Sequence, residues 1–333
     1  MRRLFTNTSF DFIGVRKYAY LLTAAFFIPG LVLLLVRGLN YGIEFTGGTL
    51  IQIQTSAPVD VGTLRHALDA HGLSGAEIQS FGSDRDYAIR ARLAGASATG
   101  GTEEGAGTVA AVQATLDSTV GAGKYAIVRH EAVGPKVGGE LRQKAFLAIL
   151  MSFGAILIYL AMRFEWRFGL AAIAATAHDV LGTIMFISLM RLEVSLVIVG
   201  GVLSVLGLSL NETVIIFDRV RENEKKRLKL ELPALLNLSI NETLPRTVLT
   251  HGTSLSTLAT LAIFGGEVIR PFAIVMFFGV FTGIFSSMFI APVALMYIRR
   301  RWPTHGGART ASMPAARPAP AAARQRPVAA DRD

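Results

Sequence analysis

The chain has 333 residues, of which 51% are hydrophobic and only 17% are charged. In soluble domains about a quarter of the residues are charged. Runs of about 20 apolar residues, long enough to cross a ~30 Å hydrocarbon layer as a helix, recur along the chain. The composition therefore predicts a membrane protein with several spans. The absence of cysteine excludes disulfides, thiolate metal sites and thiol catalysis.

The formal net charge of +9 is distributed unevenly along the chain. Residues 40–140 contain 7 basic and 11 acidic residues, whereas the remainder contains 26 basic and 13 acidic ones. The basic residues cluster beside the apolar runs, which is the bias of cytoplasmic loops in membrane proteins. We therefore interpret the positive charge as a topology signal and expect no nucleic-acid binding.

Residues 1–17 predict a short cytoplasmic N-terminus, because basic residues such as Arg16 and Lys17 precede the first apolar run at 18–37. This run is longer than the apolar core of a secretory signal peptide, and no small-residue cleavage site follows it. We expect an uncleaved transmembrane helix.

Residues 38–140 form a polar region between the first two apolar runs. Alternating apolar residues predict four strands, and helical spacing predicts two helices, in the order β-α-β-β-α-β. This order is typical of the ferredoxin-like split motif. The glycines at 47–48 could form a phosphate loop, but no following helix or P-loop lysine supports it, so we favour a tight turn beside the membrane. The region contains no catalytic constellation, and we expect no enzymatic activity.

Residues 141–298 predict five more transmembrane helices, with a charged cytoplasmic connection at about 218–246. We expect the amphipathic stretch of this connection to lie on the membrane surface. The Ala-, Pro- and Arg-rich residues 299–333 predict a disordered basic tail in the cytoplasm. Basic loops on one side place both termini in the cytoplasm. The predicted fold is a membrane bundle of six transmembrane helices, with an extracytoplasmic ferredoxin-like α+β domain inserted between helices 1 and 2.

A carboxylate lies inside the fourth predicted span. Glu212 interrupts the apolar run at 194–217, and an ionisable side chain at this depth is costly and usually functional. Arg246 begins the next span from the same side, and its long side chain can reach a similar depth. We predict that the two residues form a proton-responsive pair. The alternative is a static ion pair that only fixes helix packing.

The third predicted span contains His178 and Asp179. Adjacent positions are about 100° apart on a helix, so at most one of them points directly at Glu212. The two side chains could extend a proton relay, or they could form hydrogen bonds between helices. A metal site made of His178, Asp179 and His251 lacks a chelating i,i+4 pair, so we expect neither a metal nor another cofactor.

Four segments together resemble the SecF family of protein-export membrane subunits, which is of the RND type. They are residues 42–48, 133–141, 178–179 and 207–223, and the resemblance extends over about residues 10–300. The motif residues outside the predicted proton site are Gly42, Glu44, Phe45, Gly47, Gly48, Gly134, Pro135, Asn211, Asp218 and Arg219.

The resemblance implies a multi-pass subunit of the bacterial inner membrane that pairs with SecD beside the SecYEG translocon. It further implies YajC and YidC as partners, membrane lipid as surroundings and unfolded secreted polypeptides as substrates. The proton gradient would supply the energy, with Glu212 and Arg246 as coupling residues. The family usually has Asp at positions 212 and 44, where this chain has Glu.

Two alternatives to this function are open at the level of the sequence. One is half of an RND-type small-molecule exporter, although such exporters usually carry two large outer domains and twelve spans in one chain. The other is a translocon scaffold that moves no protons. The scaffold predicts that neutral substitutions at Glu212 are harmless as long as helix packing survives.

Overall fold

The structure is a computed structural model. It describes residues 8–73, 75–80, 83–91, 102–226, 230–266 and 268–302. The predicted tail lies outside these residues from position 303 onward, and residues 1–7 of the predicted N-terminus lie outside them as well. Residues 299–301, predicted as part of the disordered tail, are instead the end of a helix.

The chain begins with a long helix and continues into a region of strands and shorter helices. The elements are α1 (Arg16–Arg37), β1 (Asn40–Tyr41), α2 (Ile43–Thr46), β2 (Gly48–Thr55), α3 (Val61–Ala70), β3 (Glu77–Ser80), β4 (Asp86–Ala91), α4 (Thr102–Leu116) and β5 (Tyr125–Val133). From β2 onward, they follow the predicted order β-α-β-β-α-β. The short helix α2 was not predicted, because its four residues leave no periodic pattern.

Strands β2 to β5 form a four-stranded antiparallel sheet in the order β3-β4-β2-β5. Side chains alternate across a strand, so Ile51 and Ile53 of β2 share one face with Ile89 of β4, and all three are fully buried. Leu64 and Leu68, which lie one turn apart on α3, belong to the same core. The sheet therefore has its own hydrophobic core, distinct from those of the long helices.

Six helices among the described residues are long and apolar enough to cross a membrane. After α1 they are α5 (Pro135–Arg163), α6 (Trp166–Leu189), α7 (Leu196–Lys226), α8 (Leu232–Phe264) and a continuous helix made of α9 (Ile269–Phe285), a π-helical segment (Ser286–Ile290) and α10 (Ala291–Arg301). A two-residue strand, β6 (Glu193–Val194), precedes α7 and pairs in parallel with β1. The predicted number of candidate transmembrane helices is confirmed.

The centre of the bundle consists of α6, α7 and the α9–α10 helix. In these three, the most apolar stretch is 50%, 50% and 56% buried, compared with 11% in α1 and α8 and 6% in α5. The outer helices therefore have apolar side chains that the described chain does not cover, such as Leu35, Met162 and Ile263.

Helices α7 and α9 approach each other closely, because glycines of α9 face α7. A Cβ added to Gly279 would lie 2.2 Å from Cγ2 of Val205, and one added to Gly283 would lie 3.1 Å from Cβ of Ser209. Small residues permit such contacts between membrane helices. The close packing brings Ser209 next to the π-helical segment that follows α9.

The predicted connection at 218–246 is wrong in its extent, because most of it is helical. Helix α7 continues well past residue 218, and α8 begins at Leu232. Leu235 and Leu236 are buried in the same core as Phe217, so these two side chains pack against other parts of the chain. Charged residues do not end a helix when ion pairs between neighbouring turns satisfy them, so hydropathy alone misplaces both boundaries.

Candidate functional site

Glu212 is buried between α7 and α8, with only 3% of its side chain exposed. The Thr247 hydroxyl donates a hydrogen bond to one carboxylate oxygen. His251 Nε2 lies 3.0 Å from the other. Thr247 and His251 are four residues apart and therefore share one face of α8. Both oxygens of the Glu212 carboxylate thus have partners on α8.

The predicted pair between Glu212 and Arg246 is wrong in this structure. The Arg246 side chain is exposed, and no described residue forms an ion pair with it. Position 246 is rotated by about 100° around the helix from position 247, whose side chain faces Glu212. The sequence therefore predicts correctly which turn of α8 lies beside the Glu212 carboxylate. It does not predict which face of that turn contacts the carboxylate.

Asp179 is the other buried carboxylate among the described residues. Ser209 of α7 and Ser286 of the π-helical segment both donate hydrogen bonds to its Oδ2, the latter at 2.5 Å. His178 Nδ1 lies 3.0 Å from Oδ1. The imidazole stacks on Phe27 of α1 with ring centroids 4.6 Å apart, and its buried Nε2 has no hydrogen-bond partner among the described residues. Asp179 thus connects α6 to α7 and to the π-helical segment.

The π-helical segment contacts the surroundings of both carboxylates. Its first residue, Ser286, binds Asp179. Its second residue, Ser287, has its Oγ 2.8 Å from Oγ1 of Thr213, the residue that follows Glu212. Short π-helical segments within α-helices occur frequently at functional sites. Here two successive hydroxyls of the segment contact Asp179 and the residue that follows Glu212.

The hydroxyl partners can accommodate both the ionised and the protonated form of each carboxylate. The Thr247 hydroxyl contacts Glu212 and also lies 3.2 Å from the carbonyl oxygen of Thr243. It can donate to an ionised Glu212, or accept from a protonated one and donate to the carbonyl instead. Ser286 has the same choice between Asp179 and a backbone carbonyl oxygen 3.1 Å away. A fixed arginine partner would favour only the ionised form.

The glycine motif at 42–48 joins the sheet region to the start of α7. The Glu44 carboxylate accepts a hydrogen bond from the backbone N–H of Leu196, the first residue of α7. Acceptors at this position stabilise helix N-termini. Gly47 and Gly48 have φ values of 71° and 124°, which favour glycine. The motif therefore forms a tight turn.

Comparisons with known proteins agree with this architecture. The family model of the SecD/SecF GG motif matches residues 32–59, and that of the protein export membrane protein SecD/SecF, C-terminal, matches residues 112–301. Over 314 residues the chain is 50% identical to the protein translocase subunit SecF of Gemmatimonas aurantiaca, and the match covers 93% of each chain. The chain belongs to the SecF family. The protein translocase subunit SecF of Desulfurispirillum indicum is 40% identical, over 87% of this chain and 92% of that protein.

Solved structures also resemble this SecF family member. The crystal structure of SecDF, a translocon-associated membrane protein from Thermus thermophilus, aligns with a TM-score of 0.79 and 33% identity over 89% of this chain. The crystal structure of SecDF in a super-membrane-facing form aligns with a TM-score of 0.63 at the same identity and coverage. Each match covers 39% of the SecDF chain, so this SecF family member spans less than half of those proteins.

The other motif residues near the sheet region hold the backbone in place or begin a helix. The N–H of Gly42 donates to the carbonyl oxygen of Val194 at 2.9 Å, and Phe45 is buried in a cluster with the same valine. Gly134 is the N-cap of α5 and Pro135 is its first residue. Proline suits this position because its fixed φ is helical and its missing N–H is not needed there. These residues fix the chain where the sheet region meets the long helices.

The motif residues of α7 lie around and beyond Glu212. Asn211 is exposed. Asp218 forms an ion pair with Arg163 of α5 at 2.5 Å, and Arg219 forms one with Glu242 of α8 at 2.7 Å. Exposed ion pairs of this kind contribute at most about 1 kcal/mol each. They connect α7 to both neighbouring helices at the end that the sequence assigns to the cytoplasm.

Sequence reasoning missed most of the residues that hold the two carboxylates. Thr247, Ser209 and Ser286 were not predicted, and His251 was considered only as a metal ligand. A signal was present in α8, where Thr243, Thr247 and His251 recur every four residues within an apolar run. No comparable spacing marks the serines, because each comes from a different helix.

Proposed function

We propose that this SecF family member, as an accessory subunit of the Sec translocase, uses the proton-motive force to promote export of unfolded polypeptides. The SecF homologues support the accessory role. The observation that carries the proton coupling is the burial of Glu212 between partners that suit both of its protonation states. Burying a carboxylate inside a membrane span costs free energy, so a carboxylate at this position usually serves a function.

Protons enter and leave Glu212 without a rearrangement of its whole surroundings. When Glu212 is ionised, Thr247 donates to it; when it is protonated, the same hydroxyl accepts and turns to a backbone carbonyl. We propose that Asp179 is a second stop on the proton route, because the serines of the π-helical segment extend from its carboxylate to the turn that contains Glu212.

Helix α7 connects the proton site to the sheet region. Glu212 lies about 24 Å along the helix from Leu196, at about 1.5 Å per residue, and Leu196 is bound by Glu44 of the glycine motif. A shift of α7 therefore moves the base of the sheet region. We propose that this region is an extracytoplasmic ferredoxin-like domain that moves with α7 and handles the emerging polypeptide.

SecD is the partner that we propose for the uncovered outer helices. Apolar side chains of α1, α5 and α8 remain exposed. The chain also matches 39% of a SecDF chain described as translocon-associated. A SecD subunit would supply much of the remainder. We further propose contact with the SecYEG translocon, with YajC and YidC as additional partners.

The proposed location is the bacterial inner membrane, with both termini in the cytoplasm. Arg163, Arg219 and Arg299 lie at the ends of α5, α7 and α10 that this orientation places inside, as the bias of basic residues toward the cytoplasm requires. We propose neither an enzymatic reaction nor a cofactor, since the proton gradient supplies the energy.

Substitutions at Glu212 test the proposed function. Glu212→Gln preserves shape but cannot ionise, whereas Glu212→Asp keeps a carboxylate. In cells without another copy of the subunit, we expect Gln to abolish the stimulation of reporter secretion and Asp to retain it. Glu140→Gln, at an exposed position of α5, is the matched control. Wild-type secretion with Glu212→Gln, at equal membrane levels of the subunit and its partner, would favour a scaffold that moves no protons.

A further inference from the structure

His251 is the titratable side chain in direct contact with Glu212. Its Nε2 lies 3.0 Å from Oε2 of Glu212, and only 8% of its side chain is exposed. An imidazole can accept a proton near neutral pH, unlike the Thr247 hydroxyl on the other carboxylate oxygen. We propose that His251 is the proton-holding partner of Glu212, and that the Glu212–His251 pair binds and releases protons as one unit. This role rests on the proposed proton coupling at Glu212.

The other titratable groups on the helices packed against Glu212 contact other residues or lie away from its carboxylate. Arg246 is exposed on α8. Asp179 and His178 of α6 contact each other, and the Asp179 carboxylate also accepts from two serines. The π-helical segment contributes only hydroxyls near the site. The remaining groups are in ion pairs or near helix ends: Arg163 with Asp218, Arg219 with Glu242, and Arg270 in the first turn of α9. Among the described residues, His251 is therefore the group that can exchange a proton directly with Glu212.

The contact permits a balanced proton transfer within the pair. A protonated Glu212 donates its O–H to Nε2 of a neutral His251. Transfer breaks the O–H bond and forms an N–H bond, which leaves a carboxylate and an imidazolium that remain hydrogen-bonded. Thr247 stabilises the carboxylate by donating to its other oxygen. The charge of the pair changes only when a proton enters from or leaves to another group.

A histidine partner differs from a permanent cation in what it allows the carboxylate to do. An arginine next to Glu212 would favour the ionised carboxylate throughout, because the charge of the guanidinium is permanent. A histidine provides a positive charge while it holds the proton and none after it has released it. With one shared proton the pair has no net charge, whether the proton is on Glu212 or on His251. Without this proton the pair has a net charge of −1, and the pair alternates between these two states. This alternation is what proton coupling requires.

Infrared titration in proteoliposomes tests the role of His251. The full-length protein is reconstituted with its partner subunit, and carboxyl and imidazole bands are followed against pH, together with proton flux. Strongly coupled groups titrate in two macroscopic steps that belong to the pair. We expect both steps in the wild type and a single step in His251→Gln, which keeps a hydrogen-bonding side chain but accepts no proton. Proton flux should fall at least about tenfold.

Further variants separate the possible outcomes. Glu212→Gln should remove the contribution of this carboxyl group to the titration, together with the flux, whereas His66→Gln, at an exposed position of α3, should change neither. If His251→Gln keeps both titration steps and full flux while Glu212→Gln loses the flux, the role of His251 is overturned and the proposed function stands. If Glu212→Gln also keeps the flux, both fail. His251→Asn gives the same comparison if the Gln variant does not reach the membrane.

Discussion

Ser209 and Glu212 lie within one turn of α7, and each takes part in the hydrogen bonds of a different buried carboxylate. Ser209 donates to Asp179, whereas Glu212 is bound by Thr247 and His251. Because three residues correspond to less than one helical turn, a displacement of α7 changes the surroundings of both carboxylates at once. The surroundings of Asp179 and Glu212 are therefore linked through the position of α7.

Asp179→Asn tests whether the two carboxylates act together. Asparagine retains an acceptor for Ser209 and Ser286 but exchanges no proton, so we expect reporter secretion to fall about tenfold or more. Residues that act as a unit give non-additive losses, so adding Glu212→Gln should cause no further loss. Secretion measured for both single variants and the double variant checks this. Full activity of Asp179→Asn would instead assign the His178–Asp179 pair to helix packing alone.

Thr247→Val should impair proton coupling more than Thr247→Ser. Valine has the shape of threonine, but it leaves one oxygen of the Glu212 carboxylate without a donor. A lost hydrogen bond to a buried charged group costs about 1.5–3 kcal/mol, so we expect proton flux to fall roughly tenfold or more. Serine keeps the hydroxyl and should retain most of the flux. Equal flux in the Val and Ser variants would show that the hydroxyl is dispensable.

Gly279→Ala should destabilise the bundle through its contact with Val205. The added Cβ would lie 2.2 Å from a valine methyl group, and valine has little freedom to move it away. Overpacking of this kind costs about 1–3 kcal/mol. We expect a lower midpoint of thermal unfolding in detergent, partly restored in the double variant with Val205→Ala. Gly207→Ala, which has no atom within 4 Å of its added Cβ, is the control. Independent, additive losses in the double variant would contradict this contact.

Hydropathy and strand alternation predict most of the fold. The six apolar runs and the alternation around Ile51 and Ile89 arise from one-dimensional patterns, so they are visible without tertiary information. The boundaries of α7 and α8 are harder to predict, because charged residues there form ion pairs between neighbouring turns, such as Arg219 with Glu222. Such pairs leave the helix intact where composition suggests a loop.

The sequence predicts the carboxylate of the candidate site, but it does not predict the residues that bind this carboxylate. Glu212 is visible because a charge in an apolar run is unusual. Its partner depends on the rotation of α8, and the 100° between Arg246 and Thr247 separates an exposed side chain from a buried one. The π-helical segment gives no compositional signal either, so the position of Ser286 could not be predicted.

Gly138→Ala should separate the start of α5 from the glycine motif. An added Cβ would lie 2.9 Å from the backbone nitrogen of Gly47 and 3.2 Å from the carbonyl carbon of Phe45. Backbone atoms cannot rotate away as a side chain can, so we expect a cost of about 1–3 kcal/mol and weaker secretion. Gly139→Ala is the matched control, because its Cβ would meet nothing within 4 Å. Unfolding midpoints of both variants check the difference, and equal midpoints would contradict it.

Glu44→Ala should loosen the first turn of α7 and reduce its coupling to the sheet region. The Glu44 carboxylate accepts from the N–H of Leu196, and loss of a helix-capping acceptor costs about 1 kcal/mol. We expect faster amide hydrogen exchange over residues 195–199, together with lower reporter secretion. Glu44→Gln retains an acceptor oxygen and should preserve most of the exchange protection. If Ala accelerates exchange but leaves secretion at the wild-type level, the contact stabilises α7 locally without transmitting its movement. If Ala changes neither, Glu44 does not hold the helix start.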